Sequence, residues 1–134
     1  MDVRNAKIAV ASDDGTTVSS HFGRAAFYEV LEFRNGVPAS RERRAKFAPH
    51  SGTNRGETEG AAHAPHDHKH ALMVDPIRDC QIVVARGMGD GAYIHLTEAG
   101  LTTILTSLHT VEELVDAVQG GTLEHQPQRL HHHR

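Results

Sequence analysis

Two short apolar runs constrain this chain more than anything else in it: residues 7–11 (KIAVA) and residues 81–85 (QIVVA), neither of which alternates with polar residues. A strand that is apolar on both sides has to be covered on both sides, so these two belong at the centre of a layered α/β structure. Around them the pattern is more varied. Residues 27–33 (FYEVLEF) are aromatic and branched and predict another strand. Asn35-Gly36 is a strong two-residue turn signal, so residues 37–47 are expected to pair back as a hairpin. That returning segment carries Pro38 and the run Arg41, Glu42, Arg43, Arg44. Proline and dense charge suit an edge strand, where they block sheet-to-sheet association, and the charges are expected to be solvated.

Residues 48–70 (APHSGTNRGETEGAAHAPHDHKH) break the pattern. They have no periodicity and few apolar anchors, which predicts a mobile loop and explains why hydrophobic residues make up only 38% of the chain. Residues 71–74 start a short helical segment that Pro76 interrupts. After the buried strand at 81–85, a glycine-rich turn at 86–91 (RGMGDG) leads into a helix stopped by Gly100, then a strand at 101–106, then a helix that Thr110 and Glu113 open as a capping box and Gly120-Gly121 close. The expected fold is one domain over residues 1–121, a mixed five-stranded sheet of order 3-2-1-4-5 with helices on both faces. Residues 122–134 are expected to be a flexible tail.

In that order the first and fourth strands are neighbours whose connections leave in opposite directions. Open α/β sheets bind ligands at such a switch point, outside the carboxyl ends of the strands. Two loops meet there. One holds His21, Gly23 and Arg24; the other holds Gly87, Met88, Gly89 and Gly91 just before a helix N-terminus. An imidazole, a guanidinium, a thioether and free backbone N–H groups suit a soft anionic ligand such as an iron–sulfur-type cluster.

Read together, residues 8–12, the SSHFGR run at 19–24, Asp79-Cys80 and GMGDGA at 87–92 resemble the dinitrogenase iron–molybdenum cofactor biosynthesis family, over about residues 7–120 and including a His-rich insertion before the cysteine. The resemblance implies a ribonuclease-H-like motif and the binding or carriage of an iron–molybdenum or iron–sulfur cluster, or a precursor, during cofactor biosynthesis for nitrogen fixation. It implies His21 as a cluster ligand, with cluster donor and acceptor proteins as partners. Arg86 stands where the family has a further glycine, and Pro76 interrupts a helix that is leucine-rich in the family.

Each residue also has a plainer reading. His21 could cap its turn, Arg24 could pair with Asp13 or Asp14, and Met88 and Cys80 could be core residues. Gly87, Gly89 and Gly91 could serve only a tight turn. The chain has 12 histidines, and five of them, His50, His63, His66, His68 and His70, lie in the loop. His66, His68 and His70 are spaced to offer two imidazoles to one Zn, Ni, Cu or Fe ion. A divalent-metal buffer or sensor acting through that loop is therefore one alternative function. A regulatory interaction module without metal is another. A third alternative is a phosphate- or nucleotide-binding enzyme, suggested by Asp14-Gly15-Thr16-Thr17 after the first strand. No second phosphate loop and no converging set of acids follows, so no catalytic residue is assigned. His131, His132 and His133 receive no role. A net charge of −3 gives no support to nucleic-acid or membrane binding, and a single cysteine fits a cytoplasmic protein.

Overall fold

The computed structural model describes residues 3–45 and 74–131. The His-rich loop, with His50, His63, His66, His68 and His70, lies outside the described residues, as do His132 and His133.

Among the described residues the strands and α-helices come in this chain order. They are strands β1 (Lys7–Ser12), β2 (Phe27–Arg34), β3 (Val37–Ala45), β4 (Ile82–Ala85) and β5 (Met88–Gly89), helix α1 (Asp90–Glu98), β6 (Thr102–Leu105), helix α2 (Val111–Gly120) and β7 (Leu130–His131). The main sheet has the order β3-β2-β1-β4-β6. β1 pairs antiparallel with β2 and parallel with β4, and β4 pairs parallel with β6. This is the expected arrangement, with β6 as its fifth strand.

The two central strands sort their side chains by parity. Ile8 and Val10 of β1, with Ile82 and Val84 of β4, join Val111, Leu114 and Val118 of α2 in one apolar cluster. Ala9 and Ala11, with Val83 and Ala85, join Ala92 and Leu96 of α1 in the other. Each helix thus covers one face, as right-handed crossovers from parallel strands demand. The Asn35-Gly36 turn has positive φ at both residues (54° and 83°), the two-residue form that matches strand twist. Register shifts between Glu32 and Phe33, opposite the stretch containing Pro38.

Two expectations are corrected. The arginines of β3 are not simply solvated. Arg41 and Arg43 donate through Nε to the two oxygens of Glu29 at 2.9 and 2.7 Å, and Arg44 donates to Asp79 at 2.6 Å. The Glu29 side chain is only 5% exposed, and burying a carboxylate costs several kcal/mol unless cations accompany it, so β3 supplies them. The C-terminal segment does not fray at residue 122. The Gln126 N–H donates to the Leu105 carbonyl at 2.7 Å, and β7 then pairs in parallel with β5 in a separate two-stranded ladder.

The N-terminus of α2 carries a complete capping box. The Thr110 hydroxyl accepts the Glu113 N–H, and the Glu113 carboxylate accepts the Thr110 N–H and holds the His109 N–H at 2.8 Å. Replacing Thr110 with Ala should cost about 1 kcal/mol in urea unfolding, and Thr110→Ser should recover most of it. Equal midpoints for Ala and wild type would show that the cap is dispensable.

Candidate functional site at the carboxyl edge of the sheet

The loop after β1 is shaped by its own polar side chains. Asp14 Oδ1 accepts the N–H groups of Thr16 and Thr17, both at 2.8 Å, and the Thr17 hydroxyl at 2.9 Å. These bonds hold the Asp14 carboxyl well below its usual range, at about 2. Asp13 accepts the Ala26 N–H at 2.9 Å and so closes the far end of the loop. The amides that would cradle a phosphate after β1 are therefore already occupied by a carboxylate. Arg24 forms no ion pair with Asp13 or Asp14 in this arrangement and is exposed.

Between these two anchors lies the SSHFGR run. Ser19 is buried, and its hydroxyl clasps the backbone of His21, accepting the His21 N–H and donating to the His21 carbonyl, both at 3.1 Å. Phe22 is 1% exposed and tilts against Tyr28 in the core. Its neighbour His21 is left on the surface with extended backbone (φ −135°, ψ 94°), and its side chain makes no capping hydrogen bond to the turn that follows. The turn-cap reading of His21 is therefore not the one the geometry supports.

The glycine loop lies alongside. The Arg86 N–H donates to the Ser19 carbonyl at 2.8 Å, and the Phe22 N–H donates to the Gly87 carbonyl at 3.0 Å. Those two bonds join the loops and, by covalent reach alone, bring His21 and Gly89 within about 15 Å of each other. Gly89 is the N-cap of α1 in extended conformation (φ −87°, ψ 166°) and offers no side chain to the first N–H groups of the helix. Those donors and the helix dipole favour negative charge, while Asp90 places a carboxylate in the first turn. Gly91 lies inside that first turn, where its carbonyl is 2.9 Å from Nδ1 of His95.

Two candidates drop out of the surface. Met88 is 1% exposed and packs in the apolar cluster beneath α1 with Phe22 and Leu96, so its thioether does not face a ligand in this conformation. Strand alternation explains this, since Met88 stands in β5 beside Leu130 and shares its inward face. Cys80 is buried in the same cluster, and burial pushes its thiol up to about 11. It is a core residue.

Sequence reasoning missed two contributors. Ser19 acts through its hydroxyl on the His21 backbone, and a serine two residues before the residue it fixes is a recognisable local signal. The C-terminal segment gave no such signal, because its attachment depends on an exposed strand end formed only in the fold.

Compared with known families, residues 4–121 match the profile described as dinitrogenase iron–molybdenum cofactor. A comparison with curated proteins returns no significant match. Among solved structures, PH0822 is similar with 17% identity and a TM-score of 0.65, over 90% of this chain and 96% of that one. The apo form of the orange protein from Desulfovibrio gigas has 19% identity and a TM-score of 0.60, over 90% and 92%. A protein from Methanocaldococcus jannaschii, named as a candidate dinitrogenase, has 12% identity and a TM-score of 0.59, over 90% and 93%. At these identities the likeness establishes the fold.

Two outcomes follow from the loop chemistry. The folded-state pKa of Asp14 lies below its unfolded value of 3.8, so its stabilisation is complete above that value and is lost as pH falls toward 2. Acid unfolding of Asp14→Asn should be flatter than wild type between pH 4 and 2; identical curves would remove Asp14 as the loop's anchor. Cys80 should resist iodoacetamide at pH 8 in the folded protein and react once denatured, whereas rapid alkylation of the folded chain would contradict its burial.

Proposed function

The chain belongs to the dinitrogenase iron–molybdenum cofactor family, and from that premise we propose that it binds an iron–sulfur or iron–molybdenum cluster, or a precursor, as cargo at the carboxyl edge of its sheet and carries it between donor and acceptor proteins. The observation that carries this reading is the Phe22 N–H to Gly87 carbonyl bond, which fuses the two motif loops into one surface. The residues around that bond fit such a cargo. His21 supplies an imidazole for a metal, held at its backbone by Ser19. Arg24 supplies a cation beside it. The first amides of α1, to which the N-cap Gly89 offers no side chain, supply donors to sulfide or to a terminal oxygen. Met88 is left out of this set because it belongs to the core.

The reading assigns carriage and no catalysis. Asp13 and Asp14 are spent on backbone donors, so they do not converge as the acid set of a two-metal hydrolase. No described helix is long and apolar enough to cross a membrane, and a cytoplasmic setting, where such clusters are assembled and thiols stay reduced, is part of the proposal.

Anaerobic reconstitution with one cluster donor, followed by iron and molybdenum analysis, tests the reading. His21→Ala should lower bound metal at least about tenfold while the circular dichroism spectrum is unchanged, because loss of a first ligand exceeds the effect of disturbing a supporting group. A histidine that merely shaped the turn would cost about 1 kcal/mol of stability and leave loading intact. Equal loading in wild type and His21→Ala would overturn the proposal. Loss of loading only in a His66, His68, His70→Ala variant would move the metal to the histidine loop.

A further inference from the structure

The described arginines divide by what they face. Those of β2 and β3, and Arg78 before β4, each face a carboxylate. Arg24, Arg86 and Arg129 have no carboxylate within ion-pair distance among the described residues. These three come from three separate segments of the chain, and all three segments meet at Gly87.

Arg86 immediately precedes Gly87, and its N–H donates to the Ser19 carbonyl at 2.8 Å. Arg24 lies two residues beyond Phe22, whose N–H donates to the Gly87 carbonyl at 3.0 Å. Arg129 arrives from the C-terminal segment. The pairing of Leu130 with Met88 in the parallel β5–β7 ladder sets Arg129 alongside Gly87. Its Nε donates to Gln126 Oε1 at 2.7 Å, and its Nη1 donates to the Arg86 carbonyl at 3.5 Å. That end of the Arg129 guanidinium is therefore within about 6 Å of the Arg86 Cα, a distance that an arginine side chain spans.

Arg86 is half-buried, and its Nε is shut off from solvent with no hydrogen-bond partner among the described residues. Nearly every buried donor in a folded protein finds an acceptor, and an unanswered donor on a charged group is strongly disfavoured. The fold does not call for the side chain, because the bond to Ser19 is made by the backbone. The nearby acids do not answer it either. Asp13 and Asp14 accept amide donors of their own loop, and Asp90 in the first turn of α1 forms no ion pair with any of the three arginines.

We infer that Arg86 and Arg129 form a cradle for a compact dianion with oxo or thio ligands, either free in solution or presented by one face of the cargo cluster. Arg24 adds a third positive charge from the His21 turn. The inference deepens the cargo reading, because it takes the junction of the two motif loops at Gly87 as the seat. Two guanidinium charges match a dianion, and their planar forks of N–H donors suit an edge of two oxygen or sulfur atoms. Arg129 lies beyond residues 4–121, the range matched by the family profile, so the cradle is not a feature that the profile carries.

Calorimetric titration of the full chain with sodium molybdate at low ionic strength tests this. We expect one anion per chain, with Arg86→Gln and Arg129→Gln each weakening binding about tenfold or more. Arg86→Lys keeps the charge but loses the fork, and should bind between Arg86→Gln and wild type. Arg34→Gln removes an equal charge from a paired arginine elsewhere and should bind like wild type; an equal loss there would reduce the effect to diffuse charge and overturn the cradle. Anaerobic cluster loading of the same variants separates the two sources of the anion. Loading that falls with Arg86→Gln places the cluster in the cradle, whereas full loading beside weakened molybdate binding makes the free oxyanion its occupant. Because the Arg86 side chain holds nothing in the fold, Arg86→Gln should unfold at a urea concentration equal to or above that of wild type. A clear fall in its midpoint would give the guanidinium a structural role and overturn the inference. So would Arg86→Gln and Arg129→Gln that match wild type in both molybdate binding and cluster loading; if His21→Ala still loses cluster, the cargo reading then stands without the cradle. Arg86-dependent molybdate binding in a chain that loads no cluster would do the reverse.

Discussion

The parallel pairing of β1 with β4 at the centre of the sheet is the constraint on which the rest depends. Both strands are apolar on both faces, so each must be covered twice, and α1 and α2 are recruited to opposite sides to do it. Once that is fixed, the chain leaving β1 and the chain leaving β4 emerge side by side at one edge and turn opposite ways. The His21 turn and the glycine loop lie there, joined to each other by the hydrogen bonds from Arg86 to Ser19 and from Phe22 to Gly87. The site is a consequence of how the core is covered.

In these loops, polar groups that could have been offered to a ligand are divided between structure and surface. Asp13, Asp14 and Ser19 are committed to holding the backbone. His21, Arg24 and the start of α1 are left at the surface. The carboxylates of Asp13 and Asp14 are thereby given to amide donors of their own loop. Against Gly15 of the loop after β1 the same economy appears in Glu29, whose burial is tolerable because β3 delivers two guanidinium groups to it.

Much of this was legible in the sequence. The unalternating runs at 7–11 and 81–85 marked the central strands, Asn35-Gly36 marked the hairpin and Thr110 with Glu113 marked α2, because each is a local signal with a local cause. The nearness of the His21 and Gly89 loops followed from strand order alone. What could not be read depends on the assembled fold. Whether Met88 faces a ligand or the core is decided by its register against Leu130, forty-two residues later in the chain. The arginines of β3 looked like a solvated edge because their partner Glu29 sits among apolar neighbours in β2. The C-terminal segment looked frayed because its anchors are the open side of β6 at Leu105 and the short strand β5, neither of which exists before folding.

The account stands on cargo sitting between the two stitched loops, and amide NMR of the protein before and after anaerobic cluster loading tests that most directly. The expected result is that the largest shifts and broadening fall on residues 19–24 and 87–92, with the Lys7, Asp79 and Gln81 end of the sheet unmoved. Perturbation confined to residues 48–70, with the signals of His21, Phe22 and Gly89 unchanged, would contradict it.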